Sequence, residues 1–200
     1  MMLDLYKDTP ALEEVVNQTG YKTSQSLMFL HHLVKNIAPE FVLELGTGLG
    51  CSTIFMALAD KGKIISVDDY RGDMTTTLAT PLSNIYKCNV ASRIELIKAD
   101  VRFPNWVEGN PGIVFMDASH NKVDLLSEYS AIEPILSKDH IIVIDDLFST
   151  DVKEFAVVLL KKDCYDICFM PKFHEGMAVL SPYKFQKEIL DAITKGAGYA

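Results

Sequence analysis

The sequence predicts an α/β fold built on a mainly parallel, doubly wound sheet. Strand-like and helix-like segments alternate along most of the chain. The first of these strands, at 41–46, is a continuous apolar run that ends in glycine, as strands buried on both faces do. Because repeated βαβ units form parallel sheets covered by helices, we expect helices on both faces.

Each element is predicted from its apolar run and its flanking residues. Strands are expected at 41–46, 63–69, 93–100, 112–117, 140–146, 165–170 and 176–181. Helices are expected at 10–18, 24–37, 51–60, 74–88, 122–136, 151–162 and 183–195. Ser24 is the expected N-cap of the second helix, which stops before Pro39, and Gly62 closes the third. The last two strands lie close enough in sequence to pair antiparallel.

Length and composition indicate one globular domain. The chain has 200 residues, of which 48% are apolar and 23% charged, with a formal net charge of −8. These values argue against disorder and favour a single domain at 1–200. We divide it into an N-terminal helical cap at 1–39, a core at 40–181 and a C-terminal helix at 182–200. A pI near 5.1 argues against binding to nucleic acid through a basic surface.

The sequence predicts no association with a membrane and no disulfides. No apolar run approaches the ~18 residues of a spanning helix. The first residues, MMLDLYKDTP, lack the pattern of a signal peptide. The cysteines form no CxxC pair, and the two nearest, Cys164 and Cys168, are read as buried thiols rather than a metal site. We therefore expect a reducing, cytoplasmic compartment.

Acidic residues stand at the C-terminal ends of the predicted parallel strands. They are Asp68, Asp69, Asp100, Asp117, Asp145 and Asp146, and the first strand also carries Glu44. One strand that ends in Asp is ordinary turn chemistry. Because ligands of open α/β sheets bind outside the carboxyl ends of the strands, the whole set predicts a binding cleft.

A glycine turn follows the first strand and narrows the class of ligand. Residues 46–50 read GTGLG, and Cys51 stands where the dinucleotide fingerprint has its third glycine. Such a turn permits close approach of a ligand, although a tight strand-to-helix turn looks the same. Asp68 lies 22 residues after Gly46, where a carboxylate accepts from ribose hydroxyls, and Asp100 could accept from an adenine amino group. Glu44 favours a cationic ligand such as S-adenosylmethionine over a pyrophosphate.

Five motifs together carry a family resemblance over residues 40–181. They are VLELGTGLGCST, IISVDD, IELIKAD, GIVFMDASH and IIVIDD. The chain resembles the class I S-adenosylmethionine-dependent methyltransferases. Among these it is most similar to the small metal-dependent O-methyltransferases of the catechol and caffeoyl-CoA types and their sugar-modifying relatives. The resemblance implies a Rossmann-like methyltransferase fold with seven strands, of which the last is antiparallel.

The resemblance also implies roles for individual residues. It assigns the methionine end of the cofactor to Glu44 and to the backbone of Gly46, Thr47 and Gly48. It assigns the cofactor carboxylate to Ser52, the ribose to Asp68 and the adenine to Asp100 or Val101, and it places Asp117 beside the cofactor. Tyr21, Thr23 and Gln25 would cover the cofactor or merely cap and pack. Trp106 would flank the adenine or fill a small core.

Three acids at neighbouring strand ends predict a metal site. Asp117, Asp145 and Asp146 should converge, and their mutual repulsion would destabilise the site unless a cation lay between them. Hard oxygen ligands favour Mg²⁺, with Mn²⁺ and Ca²⁺ as alternatives. The other interpretation is that these acids cap the helices that follow. Many relatives carry Asn where this chain has Asp146, and Asp there is typical of the sugar-modifying group.

The predicted reaction is O-methylation of a small hydroxylated molecule, with His120 as the general base. The relatives use a Lys at the offset of His120, or an Asp where this chain has Ser119, and neither pattern is reproduced. His174, in the turn between the last two strands, is a weaker candidate for the same rim. Two alternatives stay open: hydroxylase-type chemistry on a related metal site, and a catalytically silent module that binds a cofactor or a partner. The resemblance also allows a homodimer that closes the site.

Overall fold

The computed structural model describes residues 2–19, 24–71, 77–103, 109–162, 165–171, 173 and 175–198. Across these ranges the chain forms one sheet of seven strands. The strands are β1 (Phe41–Leu45), β2 (Lys63–Asp68), β3 (Ile94–Lys98), β4 (Ile113–Met116), β5 (Ile141–Ile144), β6 (Asp166–Met170) and β7 (Met177–Ser181). Their order is β3-β2-β1-β4-β5-β7-β6, and β7 runs opposite to the other six strands of this sheet. The predicted sheet, mainly parallel with an antiparallel last strand, is confirmed.

Helices connect these strands and precede the sheet. They are α1 (Met2–Asp8), α2 (Ala11–Thr19), α3 (Ser24–Ile37), α4 (Cys51–Ala57), α5 (Ala79–Lys87), α6 (Lys122–Ile132), α7 (Thr150–Leu160) and α8 (Gln186–Ala197). Short 3-10 turns occur at Ala91–Arg93, Glu133–Ile135 and Tyr183–Phe185. The sequence does not predict α1, because seven residues cover too few turns to show an apolar period.

Some helix ends differ from the prediction for physical reasons. The helix α6 stops at Ile132 rather than 136, because Pro134 has no amide hydrogen and the chain passes into a 3-10 turn. The helix α4 ends at Ala57, so Gly62, with φ of 65°, belongs to the turn after it rather than to its cap. The helix α5 begins at Ala79, and part of its predicted first turn lies outside the described residues.

The sheet separates two apolar layers. Successive strand residues point to opposite faces, so Val42 belongs to one layer and Leu43 to the other. The layer of Val42 is covered by α2, α3, α4, α5 and α8. The layer of Leu43 is covered by α6 and α7. Helices therefore cover both faces, which confirms the doubly wound arrangement.

The topology brings the loops after four parallel strands to one edge of the sheet. The strands β1 and β4 are neighbours although they are not consecutive, which makes the gap between them the switch point where such folds bind ligands. Backbone hydrogen bonds continue past the strand ends into these loops. They run from Gly46 N to Val67 O (2.8 Å), from Asp117 N to Leu45 O (2.8 Å) and from Asp145 N to Met116 O (3.1 Å).

In the part of the chain that the structure describes, no helix has the length and apolar character needed to cross a bilayer. Cys51, Cys88 and Cys168 are free thiols. Cys164 lies outside the described residues.

Candidate active site

The glycine turn lies directly against the loop that follows β4. Gly46 has φ of 96°, and a Cβ atom there would lie 2.4 Å from the carbonyl oxygen of Asp117. Gly48 has φ of 51°, and a Cβ atom on it would meet nothing within 4 Å. Both residues thus have backbone conformations that favour glycine. Gly46 allows two loops to touch, whereas Gly48 borders open space.

Glu44 is a fully buried carboxylate inside a network of hydroxyl groups. Its side chain is 0% exposed. Its Oε1 accepts from the hydroxyl of Ser52 (2.5 Å), and its Oε2 accepts from Ser66 (2.6 Å) and from Thr53. These donors meet the need of a buried carboxylate for hydrogen bonds. Glu44 therefore ties the start of α4 to the strand β2.

The same network reaches the end of β2 through Thr47. The hydroxyl groups of Thr47 and Ser66 are 2.7 Å apart, and the Tyr70 hydroxyl donates to Thr47 Oγ1 at 3.2 Å. Tyr70 is buried and has a left-handed φ of 53°. Burial raises the pKa of Tyr70 to about 12, so this side chain remains a hydrogen-bond donor at neutral pH.

Asp68 holds the glycine turn through backbone amides. Its Oδ2 accepts from Thr47 N and Gly48 N, both at 2.9 Å, and its Oδ1 accepts from Tyr70 N at 2.7 Å. A carboxylate has about four acceptor sites, so these three bonds fix its orientation and leave capacity for a further donor. The side chain is half-buried at the edge of the sheet.

Asp100 is engaged by a neighbouring guanidinium group. Arg102 donates from Nη2 to Asp100 Oδ2 (2.7 Å) and from Nε to Oδ1 (2.9 Å), while its Nη1 reaches Asp124 Oδ1 on α6 (3.2 Å). The side-chain hydrogen bonds from Arg102 lower the pKa of Asp100 to about 2. An adenine amino group at Asp100 would have to share this carboxylate with Arg102. Val101 is buried in the layer beneath α6 and α7.

Asp117, His120 and Asp146 converge at the edge of the sheet. One side-chain ligand atom from each of the three lies within 4.8 Å of the others. His120 Nε2 pairs with Asp146 Oδ2. Asp146 adopts a left-handed φ of 56°, a conformation that Asp tolerates better than most residues. We call Asp117, His120 and Asp146 the rim group.

Asp145 occupies a different environment from its neighbour. Its side chain is 3% exposed, whereas that of Asp146 is 22% exposed. The sequence left open that the acids cap the helices after the strands, but other residues are the N-caps of α6 and α7. Asn121 caps α6 and accepts from Asp124 N at 3.0 Å, and Ser149 is the N-cap residue of α7. The strand-end acids are therefore not the N-cap residues of these two helices.

The electrostatic field at the rim group favours a positive charge. The hydrogen bond with Asp146 raises the pKa of His120 above its ordinary value, and burial opposes this. The charges of Asp146, Asp117 and Asp145 raise the pKa further. The carboxylates around His120 thus favour its positively charged form.

Sequence reasoning missed several polar residues of this region. Thr53 and Ser66 lie inside the motifs VLELGTGLGCST and IISVDD, which gave them no role of their own. Tyr70 and Arg102 lie outside the motifs. Only the spatial partners of these residues reveal them. Arg102 had one weak signal, since it stands two residues after a strand-end acid. The predictions for Tyr21, Thr23, Trp106 and His174 lie outside the described residues. Gln25 is partly buried on α3.

The sheet order, the glycine turn after β1 and the acid at the end of β2 define a class I S-adenosylmethionine-dependent methyltransferase. A family model described as "Methyltransferase domain" matches residues 43–147, which is just over half of the chain. The chain therefore belongs to this methyltransferase family. No protein of the curated set matches the sequence.

Solved structures share the fold at low sequence identity. An O-methyltransferase from Bacillus cereus in complex with SAH is 17% identical, with a TM-score of 0.70 over 86% of this chain and 90% of that one. The O-methyltransferase TomG from Streptomyces achromogenes, in complex with SAM, is 19% identical, with a TM-score of 0.67 over 89% and 88%. The SAH-bound methyltransferase PaMTH1 from Podospora anserina is 19% identical, with a TM-score of 0.63 over 76% of each chain.

Proposed function

We propose that the protein is an O-methyltransferase that uses a divalent cation and acts on a small acceptor with neighbouring hydroxyl groups. The observation that carries this proposal is the contact between Gly46 and the Asp117 carbonyl. Through it the glycine turn, which serves the methyl donor in this class, lies beside the first member of the rim group. A donor site and a cation site would therefore be adjacent at one edge of the sheet.

On the donor side, the proposed roles follow from the contacts described above. The open space at Gly48 would admit the methionine end, with Glu44 and Ser52 holding the turn of Gly46 and Thr47 in shape. Asp68 would accept from the ribose hydroxyls with its remaining acceptor capacity. Asp100, Val101 and Arg102 would border the adenine. S-adenosylmethionine carries its methyl group on a cationic sulfur. When the methyl group is transferred, this sulfur becomes a neutral thioether.

On the acceptor side, the rim group has the chemistry of a divalent-cation site. Two carboxylates and one imidazole suit Mg²⁺ or Mn²⁺, and the nitrogen donor shifts the preference toward Mn²⁺ relative to the all-oxygen set predicted from the sequence. When bound, such an ion would lower the pKa of an acceptor hydroxyl. Asp145, which is buried and lies outside the rim group, would contribute to the negative field at the site.

His120 has two roles that the same atom cannot perform at once. As a general base it would take the acceptor proton through Nε2, the atom that pairs with Asp146 in this structure. As a cation ligand it would keep Nε2 on the ion. The convergence of an imidazole nitrogen with the carboxylate oxygens supports the ligand role, and the base role applies if Nε2 leaves Asp146.

The proposal is tested with purified protein freed of metal by chelation. We expect SAM and SAH to bind in calorimetry, and we expect methyl transfer to catechol to need added Mg²⁺ or Mn²⁺. Phenol, which offers one hydroxyl, is the matched acceptor and should react far more slowly. Cofactor binding without transfer to any hydroxylated acceptor would favour the silent module. Oxygenated rather than methylated product would favour hydroxylase-type chemistry.

The cofactor role of Asp68 gives a direct prediction. Asp68→Ala removes a charge-assisted acceptor and loosens the amides of Thr47 and Gly48, so we expect SAM affinity to fall by about 10- to 100-fold. Asp69→Ala is the matched control, because Asp69 accepts from Arg71 N in an exposed turn. Calorimetric titration of both variants decides the point. Equal affinities for SAM would remove Asp68 from the cofactor site.

A further inference from the structure

The side chain of Arg102 joins the loop after β3 to the first turn of α6. Its Nε and Nη2 donate to the two carboxylate oxygens of Asp100, at 2.9 and 2.7 Å. On the other side its Nη1 donates to Asp124 Oδ1 at 3.2 Å. Asp124 is itself fixed on α6, because its backbone amide donates to Asn121 Oδ1 at 3.0 Å and the Asn121 side-chain amide donates to Asp124 Oδ2. The guanidinium group therefore has a fixed support on the helix while it holds Asp100.

The bonds from Arg102 leave Asp100 with a defined acceptor site. The backbone amide of Arg102 also donates to Asp100 Oδ1, at 3.1 Å. Among the described residues, Oδ1 thus takes two donors and Oδ2 takes one. A carboxylate has about four acceptor sites, so a site on Oδ2 is left for a further donor. The direction of this site is fixed, because a two-bond fork prevents the carboxylate from turning.

Stability of the fold does not account for this arrangement. The side chains of Asp100, Arg102 and Asp124 are 21%, 42% and 31% exposed. Ion pairs with this exposure add little to the free energy of unfolding, because water and salt screen them. What the pairing does is to fix an acid at the edge of the sheet where ligands of such folds bind.

We propose that Arg102 is a positioning residue, which presents the remaining acceptor site of Asp100 to the amino group of the cofactor's adenine. This role rests on the proposed function, which assigns the adenine to the loop of Asp100. Arg102 orders the carboxylate before the cofactor arrives, so cofactor binding does not bear the cost of ordering it. Arg102 acts through Asp100 and does not itself contact the base.

Such a site selects for an amino group on the purine. Adenine carries a hydrogen-bond donor there, whereas hypoxanthine carries a carbonyl oxygen, which a carboxylate repels. S-inosylhomocysteine, which is SAH deaminated at this position, therefore tests the contact without any change to the protein. We expect the natural protein to bind it about 10- to 100-fold more weakly than SAH, as for the loss of one hydrogen bond to a charged group.

The first experiment measures the hold of Arg102 on Asp100 in the cofactor-free protein. Arg102→Met removes the fork and keeps an apolar stem, so the pKa of the Asp100 carboxyl should rise from about 2 toward about 3.9. Nuclear magnetic resonance of the carboxyl carbon during a pH titration measures this. Arg71→Met is the matched control, because it removes one positive charge from the exposed turn beside Asp69 and should move this pKa far less. A pKa that stays near its natural value in Arg102→Met would overturn the proposal.

The second experiment compares the two ligands by calorimetry. Arg102→Met should weaken the binding of SAH by about 5- to 30-fold and leave that of S-inosylhomocysteine within about twofold, since the analogue offers Asp100 no donor. In Asp100→Ala, adding Arg102→Met should change the affinity for SAH by less than about twofold. Unchanged binding of SAH to Arg102→Met would overturn the proposal. Equal losses for both ligands, or a further loss in Asp100→Ala, would place Arg102 against the cofactor itself and would overturn it as well.

Two outcomes separate the positioning role from the proposed function. If the natural protein binds SAH and S-inosylhomocysteine equally, Asp100 does not receive the adenine amino group. The positioning role then fails, whereas methyl transfer and the cation site stand. If the preference for SAH depends on Arg102 but no diol is methylated with added Mg²⁺ or Mn²⁺, the proposed reaction fails and the positioning role stands.

Discussion

Replacing Asp146 with asparagine is expected to lower the affinity for Mn²⁺ by about 100-fold while leaving the fold intact. The substitution removes one negative charge from the rim group and one carboxylate oxygen that faces the others. Asparagine tolerates the left-handed φ of 56° at this position about as well as aspartate does, so the backbone gains no strain. The free energy of unfolding should change by less than about 1 kcal/mol, as is usual for a partly exposed ion pair.

The same variant can be followed without metal. Asp146 is the main cause of the raised pKa of His120, so in Asp146→Asn that pKa should move down toward about 6.5. Nuclear magnetic resonance of the imidazole during a pH titration measures this. Asp151→Asn, at the exposed start of α7, is the matched control and should alter neither quantity. If Asp146→Asn binds Mn²⁺ as tightly as the natural protein does, the assignment of the rim group is wrong.

Asp145→Asn distinguishes the metal ligands predicted from the sequence from those that the structure brings together. The sequence places Asp145 among the ligands, whereas the rim group contains His120 instead. If Asp145→Asn weakens Mn²⁺ binding as strongly as Asp146→Asn, Asp145 is a ligand. If it weakens binding by less than about tenfold, it acts through its charge and its burial.

Gly46→Ala is expected to be the most destabilising single substitution in the glycine turn, by about 3 kcal/mol or more. The added Cβ would lie 2.4 Å from the carbonyl oxygen and 2.6 Å from the carbonyl carbon of Asp117, and φ is 96°. Both contacts are with backbone, so no side-chain rotation relieves them. The loops after β1 and β4 would have to separate, which would also displace Asp117 from the rim group.

Gly48→Ala is the matched control for this prediction. Its Cβ would meet nothing within 4 Å, and its φ of 51° costs an alanine about 1–2 kcal/mol. Urea unfolding of both variants gives the two free energies. We expect Gly48→Ala to remain folded and to bind SAM more weakly, because the methyl group enters the open space proposed for the cofactor. A loss in Gly46→Ala no greater than that in Gly48→Ala would mean that the two loops do not touch.

Much of the fold could be predicted because its signals are local. The apolar runs of β1, β2, β4 and β5 end in visible acids or glycines, which fix both the strands and the edge that binds ligands. The ends of α4 and α6 were harder to predict. No glycine or proline directly follows α4, and Pro134 lies two residues beyond the end of α6.

The membership of the rim group could not be predicted in the same way. Asp145 and Asp146 are adjacent and identical in type, so the sequence cannot tell them apart. In the structure Asp145 is buried, whereas Asp146, which has a left-handed backbone, pairs with His120. A lone histidine in a loop carries no signal of its partners.

The place of β7 between β5 and β6 has a consequence for synthesis. The strand β5 obtains its second neighbour only from residues 177–181, which follow it in the chain after α7 and β6. Until those residues have left the ribosome, the edge of β5 that β7 covers in the finished sheet is open to other nascent chains. Truncation ahead of β7 would make this exposure permanent. We expect such a fragment to aggregate rather than to remain folded with a disordered end.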